Sequence, residues 1–277
     1  MKMARAWLVD RKVISLSGGD RVGFLQGLVS NDVTCADRTR LVWAALLTPQ
    51  GRYLSDFFIW HEEDRLLLDV PAPHAETLCR RLARFRLRAD IRIDMTDEIV
   101  EACWGETAQD DGRRDPRLDA AGTRRILPQD AVTEAEDGLS AYHAHRIALG
   151  LPSPDDCESE KTLLLEANFD WLNGISWKKG CYMGQELTAR THYRGLVKKR
   201  LVPLCADGPL PAPGTLLMDG SREIGMVRTS SGQRGLAFLR REYWDRSVAC
   251  GDIILTPDLP DWFHHEASGD GSGDPAP

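Results

Sequence analysis

The sequence predicts an α+β fold that ends in a small antiparallel β-barrel, and three patterns support that prediction. Three apolar runs between residues 41 and 70 are separated by short polar turns, as in an antiparallel meander. Residues 75–87 place apolar side chains at helical spacing opposite a basic face, which predicts an amphipathic helix. From residue 199 onward, short apolar runs alternate with turns that contain Gly and Pro, which is typical of a small barrel.

The N-terminal elements can be justified in chain order. Residues 11–17 alternate in polarity and end at a glycine pair, so we predict a strand and a turn there. The three runs of the meander follow at residues 41–47, 53–60 and 66–70. After the amphipathic helix, strands near residues 91–93 and 99–104 would close the same sheet. Residues 138–150 are predicted to form a helix, because it ends on a glycine with a proline soon after.

Composition narrows the classes of function. The chain has 277 residues, which is long enough for two or three packed units. Its hydrophobic content is 42%, and its formal net charge is −7. The negative charge argues against direct nucleic-acid binding, which usually needs a basic domain. No apolar run reaches the length of a membrane span and no signal-peptide pattern is present, so we expect a cytoplasmic protein without membrane contact.

The seven cysteines do not form a recognisable disulfide or metal pattern. They are widely spaced, and no CxxC pair occurs. Local zinc sites show closely spaced ligand pairs, and disulfide frameworks belong mostly to short secreted chains. We therefore expect neither a disulfide framework nor a tightly bound metal. A cluster shared between Cys181 and a second chain stays an alternative.

The most informative segment runs from Lys179 to Arg190 and contains one cysteine. Cys181 follows two lysines and lies between glycines, and residues 185–190 are good helix formers. A thiol just before a helix N-terminus and beside lysines favours the reactive thiolate, whereas the alternative is a buried cysteine in a tight turn. Residues 178–200 carry seven basic residues and one acidic residue, which favours either an anionic partner or a solvated surface.

This segment resembles the K-G-C-[YF]-x-G-Q-E-x-x-[AS]-R motif of the YgfZ family, which comprises folate-binding proteins of iron–sulfur cluster assembly and repair. The resemblance covers most of residues 11–200. Its N-terminal blocks are shared with the glycine-cleavage T-protein, an aminomethyltransferase. Those blocks are Gly19-Asp20, Phe24-Leu25-Gln26-Gly27-Leu28 with Asn31-Asp32, and Thr48-Pro49-Gln50-Gly51-Arg52 with Asp56.

The resemblance implies a T-protein-like, three-lobed arrangement. Residues 1–197 would form a folate-binding region of two interleaved α+β lobes, the second inserted in the first at roughly 50–125. Residues 198–265 would form the C-terminal antiparallel β-barrel, and the polar residues 266–277 a disordered tail. The implied ligand is tetrahydrofolate or a derivative, and the implied partners are iron–sulfur cluster proteins or carriers.

The resemblance also places a site in a central cleft between the lobes. Cys181 would act there as the reactive thiol and Asp56 as a carboxylate close to the folate. Asn31 would reach the cleft from the N-terminal lobe. Lys179 and Arg190 would either stabilise the thiolate or bind the carboxylates of the folate.

The other predicted site residues lie around the same motif. Trp177 would stack on the pterin or pack in the core. Gln185 and Glu186 would either contact the ligand or cap and brace the helix that they begin. The remaining predicted binding residues are Gly180, Tyr182 and Gly184.

Two positions depart from the T-protein pattern. Ala148 stands where an Arg-Leu-Glu-Ala-Gly-like segment carries the glutamate that holds the pterin in T-proteins, and an alanine cannot pair with the N–H donors of that ring. Cys181 stands where T-proteins usually have an acidic residue. Both departures argue against plain aminomethyl transfer.

Three functions therefore stay open. The first is a folate-binding accessory protein that supports iron–sulfur enzymes, including enzymes that thiolate tRNA, through Cys181. The second is a tetrahydrofolate-dependent aminomethyltransferase-like enzyme that uses Asp56. The third is a folate-independent docking module for a cluster carrier, which would bind through the basic segment.

Overall fold

The computed structural model describes residues 3–105, 112–132 and 138–263, and its strands form three antiparallel sheets within these ranges. The strands are β1 (Ala4–Trp7), β2 (Arg11–Ser17), β3 (Val42–Leu47), β4 (Tyr53–His61), β5 (Arg65–Pro71), β6 (Arg92–Thr96), β7 (Ile99–Trp104), β8 (Arg113–Arg114), β9 (Thr123–Leu127), β10 (Lys199–Cys205), β11 (Leu216–Asp219), β12 (Arg222–Ser231), β13 (Arg234–Arg240), β14 (Val248–Cys250) and β15 (Ile253–Pro257). The α-helices are α1 (Arg21–Gln26), α2 (Ala72–Phe85), α3 (Gly138–Ala148) and α4 (Gln185–Tyr193).

The first sheet contains the predicted meander. Its strands lie in the order β3–β4–β5–β2–β6, and both β3 with β4 and β4 with β5 pair as antiparallel neighbours. Helix α2 covers one face of this sheet, where Leu78 and Leu82 are buried among the apolar side chains of the strands. The predicted amphipathic helix is therefore confirmed, three residues nearer the N-terminus than the pattern suggested.

The second sheet corrects one sequence prediction. Its order is β1–β7–β9–β8, so residues 99–104 pair with β1 and β9 and do not close the first sheet. Only β6 joins the meander, beside β2. The first sheet thus unites residues on both sides of position 50, which differs from the inserted lobe at roughly 50–125. Apolar alternation identifies a strand, but its partner depends on contacts distant in sequence.

Buried charges lie between these two sheets. The carboxylate of Asp69 accepts hydrogen bonds from Arg11 at 2.6 Å and from Arg124 at 2.8 Å. Asp115 pairs with Arg117 at 2.7 Å. Burial works against both charges of the second pair, but their attraction keeps the pKa of Asp115 below and the pKa of Arg117 above the ordinary value. The guanidinium groups of Arg117 and Arg124 also lie over the ring of Phe58.

The C-terminal sheet confirms the predicted barrel. Its six strands follow the order β11–β12–β13–β10–β15–β14, and the edge strands β11 and β14 lie against each other. An apolar core fills its interior. The predicted disordered tail at residues 266–277 lies outside the described residues. Within the described ranges, no helix is both long and apolar enough to cross a membrane.

Candidate functional site

Cys181 lies on an exposed loop directly before helix α4. This cysteine is solvent-exposed, and of the seven cysteines only Cys35 is also exposed. Gly184, at φ = 83°, turns the chain into the helix, which begins at Gln185. The predicted position before a helix N-terminus is therefore what the structure shows. The interpretation of Cys181 as a buried core residue is wrong.

Lys179 fixes this loop to the N-terminal region. Its amine donates three hydrogen bonds, at 2.7–2.8 Å, to the backbone carbonyls of Gln26, Val29 and Asn31. All three N–H donors of an ammonium group are thereby used. Burial lowers the pKa of Lys179 to about 8. The role predicted for Lys179, stabilising the thiolate or binding folate carboxylates, differs from this geometry, because the amine is directed into the protein.

Two glycines bring the cysteine loop against the turn between β3 and β4. A Cβ on Gly184 would lie 2.5 Å from the carbonyl oxygen of Thr48, and a Cβ on Gly51, at φ = 73°, would lie 2.8 Å from that of Gly184. Side chains are excluded at both positions by this close approach. Gly180, by contrast, faces open space. The two sequence blocks that suggested a common site therefore touch in the fold.

Backbone hydrogen bonds complete the attachment of the loop. The N–H of Met183 donates to the carbonyl of Gly27 at 3.1 Å, and the N–H of Ser176 donates to that of Ser30 at 3.0 Å. The hydroxyl of Ser30 in turn donates to Gly174 at 2.7 Å. The exposed thiol is thus carried on a loop whose two ends are both fixed to the first sheet and its connections.

Asn31 faces main-chain groups. Its amide nitrogen donates to the carbonyls of Trp43 at 2.8 Å and Asn173 at 2.7 Å, and its oxygen accepts from the N–H of Asp32. A cleft of 490 Å³ opens beside Asn173 and is lined chiefly by polar side chains such as Arg117. None of the predicted site residues lines this cleft.

Asp56 is buried, with 4% of its surface exposed, and both of its oxygens have partners. One accepts from the indole N–H of Trp43 at 2.8 Å and the other from the hydroxyl of Tyr53 at 2.6 Å. The ring of Trp43 stacks on Phe169 with centroids 3.9 Å apart. The predicted role of Asp56 as a carboxylate facing a ligand does not match these contacts, because the group is an internal hydrogen-bond acceptor.

The aromatic residues of the motif differ in exposure. Tyr182 is buried, and burial raises its pKa to about 12. Trp177 is partly buried and stacks on His192 with centroids 4.0 Å apart, and Tyr193 next to it is 72% exposed. Trp177 therefore contacts the core on one side and an exposed aromatic surface on the other.

The helix residues of the motif lie at the surface. Glu186 is exposed in the first turn of α4 and Arg190 is exposed near its end. The N–H of Gln185 donates to the carbonyl of Tyr182 at 3.2 Å. An acidic group in the first turn of a helix is favourable to the helix dipole, which agrees with the bracing role that was one alternative for Glu186.

The basic segment is divided between surface and interior. Its exposed members are Lys178, Arg190, Arg194, Lys198 and Lys199. Arg200 is buried, and its guanidinium binds both oxygens of Asp170 at 2.9 Å and the carbonyl of Leu165 at 2.6 Å. The excess of positive charge at the surface is therefore smaller than the sequence count, and it lies on residues before, within and after helix α4 in the chain.

The anchoring contacts of this loop were not foreseen from the sequence. The sequence gave no indication that the Lys179 amine would bind backbone carbonyls of residues 26–31, because these lie about 150 positions away in the chain. The positive φ of Gly51 was partly predictable, because Pro49-Gln50-Gly51 is a typical turn sequence. Among the described residues, no group of three or more His, Cys, Asp or Glu side chains is placed to hold a metal ion.

Comparisons with known proteins agree with the fold. The model of the family described as "CAF17, C-terminal beta-barrel domain" matches residues 198–265. The glycine cleavage system aminomethyltransferase T from Bartonella henselae has a similar structure, with a TM-score of 0.77 over 95% of this chain and 86% of that one. Its sequence identity is 16%, so it shows the fold alone. The predicted T-protein-like α+β class is confirmed.

Two sequence relatives are named as iron–sulfur cluster assembly factors. The Mycosarcoma maydis protein "Iron-sulfur cluster assembly factor IBA57 homolog, mitochondrial" is 38% identical over 73% of this chain and 58% of its own length. The Homo sapiens protein "Iron-sulfur cluster assembly factor IBA57, mitochondrial" is 30% identical over 92% of this chain and 84% of its own length. The chain thus spans little more than half of the first of these relatives.

The names of these relatives overturn the expected cytoplasmic location, because they are all called mitochondrial. The expectation depended on the absence of a signal-peptide pattern. That pattern reports secretion, and its absence does not distinguish among the other compartments of a cell.

Proposed function

The chain belongs to the family of the iron–sulfur cluster assembly factor IBA57, and on that premise we propose that it is an accessory protein that supports iron–sulfur enzymes through Cys181. One observation carries the proposal: Cys181 is exposed on the loop before helix α4, and the buried Lys179 amine fixes that loop to backbone carbonyls of residues 26–31. An exposed thiol on a positioned loop is available to a cluster or to a second protein.

The chemistry proposed for Cys181 is ligation or exchange by its thiolate. Thiolates are the usual protein ligands of iron–sulfur clusters, which generally need four of them. In the described part of this chain, no other ligand group is placed to complete such a set. The cluster would therefore be cargo held jointly with a partner, which supplies the remaining ligands. The proposed clients are iron–sulfur enzymes, with tRNA-thiolating enzymes among them.

The test compares the two exposed cysteines. Cys181→Ala should abolish the activity of iron–sulfur enzymes in cells that depend on this protein, whereas Cys35→Ala should leave that activity intact. Both substitutions lie at the surface, so both variants should keep the melting temperature of the parent. Full client activity with Cys181→Ala, or equal loss with both variants, would contradict the role proposed for this thiol.

Folate is suggested by the fold, but the polar groups of three residues predicted to face it are occupied by contacts within the protein. The oxygens of Asp56, the amide of Asn31 and the amine of Lys179 are all satisfied by groups of the protein itself. Ala148 supplies no carboxylate for a pterin. We therefore assign no step of the proposed function to a folate, and no aminomethyl transfer.

Calorimetric titration with tetrahydrofolate tests this part separately. If folate binds, its affinity should be the same in Asn31→Ala, once the variant is shown to be folded, because that side chain faces main-chain carbonyls. A loss of affinity specific to Asn31→Ala would place the ligand against this residue and contradict the assignment. The outcome is independent of the cysteine test, since Asn31→Ala leaves Cys181 unchanged.

Partner docking is supported by the surface of helix α4. Five exposed basic residues and the exposed Tyr193 lie between positions 178 and 199 of the chain, and Tyr and Arg are frequent at the centres of protein interfaces. We propose that an acidic face of the cluster-bearing partner binds here. Charge reversal by Lys198→Glu with Lys199→Glu should weaken that binding and reduce its salt dependence. Unchanged affinity in the double variant would remove this surface from the proposal.

A further inference from the structure

The C-terminal end of helix α2 presents an apolar side chain in an unusual setting. The helix ends at Phe85, and Leu87, two residues later, has φ = 45° and is 88% exposed. Phe85 is itself 41% exposed. Left-handed positions after a helix are normally filled by glycine, because a side chain there is strained. The fold thus holds a large apolar residue in a strained conformation and projects it into solvent.

Three arginines surround this apolar point. Arg84, Arg86 and Arg88 are all exposed, and no carboxylate of the described residues pairs with them. Residues 84–94 contain four arginines and two aspartates, so the segment keeps a positive excess. Of the aspartates, Asp90 accepts from the N–H of Gly19, and Asp94 pairs with Arg92 at 2.7 Å. In a protein with a net charge of −7, this is a concentrated positive surface. We call residues 84–88 the α2 tip.

We propose that the α2 tip binds the surface of a membrane that contains anionic phospholipids. Leu87 and Phe85 would enter the boundary between headgroups and acyl chains, and the guanidinium groups beside them would bind lipid phosphates. Strain at an exposed residue is retained where the conformation serves a function, and here it turns the leucine side chain outward.

The shape of the tip selects a membrane over other anionic partners. Its exposed apolar residues lie at the end of a helix and in the short turn after it, whereas peptides are usually bound in grooves or at the edges of sheets. Single-stranded nucleic acids are usually bound by stacking on several aromatic rings, and the tip has one ring. The sequence predicted no membrane contact because it has no apolar run long enough to span a membrane, but a peripheral contact of this kind does not need a spanning segment.

Vesicle co-sedimentation tests the proposal. The intact protein should sediment with vesicles of phosphatidylcholine and phosphatidylglycerol, and not with phosphatidylcholine alone, and binding should weaken as salt is added. Replacing Arg84, Arg86 and Arg88 together by glutamine should weaken binding by roughly a hundredfold. Leu87→Gly should weaken it by about tenfold.

The leucine variant separates the proposal from a loss of structure. Glycine is the favoured residue at φ = 45°, so Leu87→Gly should melt at the same temperature as the parent or higher while it loses vesicle binding. Ile254→Ser, which removes an apolar residue 53% exposed on the barrel, should bind vesicles as the parent does.

Three outcomes would overturn the proposal. One is equal binding to neutral and anionic vesicles, and another is full binding by Leu87→Gly. The third is displacement of the protein from vesicles by polyglutamate or polyuridylate at equal charge, together with Leu87-dependent binding to that polymer. This result would identify an acidic protein or an RNA as the partner.

Discussion

At the scale of single residues, Asp56 shows how an internal hydrogen-bond acceptor can resemble a catalytic carboxylate. Because Trp43 and Tyr53 donate to its two oxygens, Asp56→Asn would leave one buried donor without an acceptor. We expect the free energy of unfolding to fall by about 1–3 kcal/mol in urea denaturation. Support of iron–sulfur enzymes should persist at temperatures where the variant is folded. If Asp56→Asn kept its stability but no longer supported iron–sulfur enzymes, Asp56 would have a chemical role after all.

His74 provides the pH dependence that can be tested most directly. Burial lowers the pKa of this histidine below its ordinary value of 6.5, and its Nδ1 lies 3.0 Å from the hydroxyl of Ser55. The unfolded chain then binds a proton more readily than the folded protein. The stability contributed by neutral His74 should be complete above pH 6.5 and should decrease as the pH falls below it.

The measurement is the difference in unfolding free energy between the parent and His74→Gln, from about pH 8 to pH 5. This difference removes the contribution of every other titrating group. The parent should lose more stability than the variant on acidification. Parallel curves would show that the histidine is not protonated differently in the two states.

The sequence predicted where Cys181 lies relative to a helix, but it did not predict which groups the neighbouring side chains contact. The motif indicated a reactive Cys181 before a helix N-terminus, and the structure shows this residue exposed on the loop before helix α4. The same motif gave Lys179 a role beside the thiol, but its amine lies on three carbonyls of the N-terminal region. A lysine next to a cysteine in the sequence can point away from it, and only the tertiary fold decides which.

At the scale of elements, the contact between the cysteine loop and the β3–β4 turn depends on glycine. Gly184→Ala would place a Cβ 2.5 Å from the carbonyl oxygen of Thr48 at a residue with positive φ. We expect a loss of about 2 kcal/mol or more in stability and a changed alkylation rate of Cys181, because the loop must move. Thermal unfolding and the rate of reaction with iodoacetamide measure the two effects.

The matched control lies four residues earlier. Gly180 faces open space, and its φ is not positive, so Gly180→Ala should be nearly neutral in both measurements. If both alanine variants behaved alike, the close approach of the loop to the turn would not explain the glycine at position 184.

Elements were predicted best where local pattern and long-range pairing agree. The meander has short turns, so neighbours in sequence are neighbours in the sheet, and its three strands appear within one or two residues of the predicted bounds. The strand at Ile99–Trp104 has the same local pattern, yet it pairs with β1, which lies almost one hundred residues earlier. Alternation gives no information about a partner at that distance.

At the scale of the whole molecule, the barrel is joined to the N-terminal region through buried polar contacts. Arg200, at the start of β10, binds the carboxylate of Asp170 with both of its terminal nitrogens at 2.9 Å, and its guanidinium lies 3.5 Å from the ring centroid of Trp171. The amide of Asn168 donates to the carbonyl of Leu201 at 2.7 Å. The basic run that suggested an anionic partner in the sequence thus contributes one arginine to an internal interface.

Arg200→Met should weaken the coupling between the unfolding of the barrel and that of the N-terminal region. It would leave the Asp170 carboxylate buried without its cation, and breaking a buried ion pair from one side costs about 3–5 kcal/mol. Because the contact crosses the boundary between the barrel and the N-terminal region, we expect calorimetric unfolding to change from one transition to two. The double variant Arg200→Met with Asp170→Leu removes both charges and should recover most of the stability, since an apolar pair of similar volume is often tolerated. If the double variant were as unstable as Arg200→Met, packing of the arginine on Trp171, and not its charge, would be what joins the barrel to the rest of the chain.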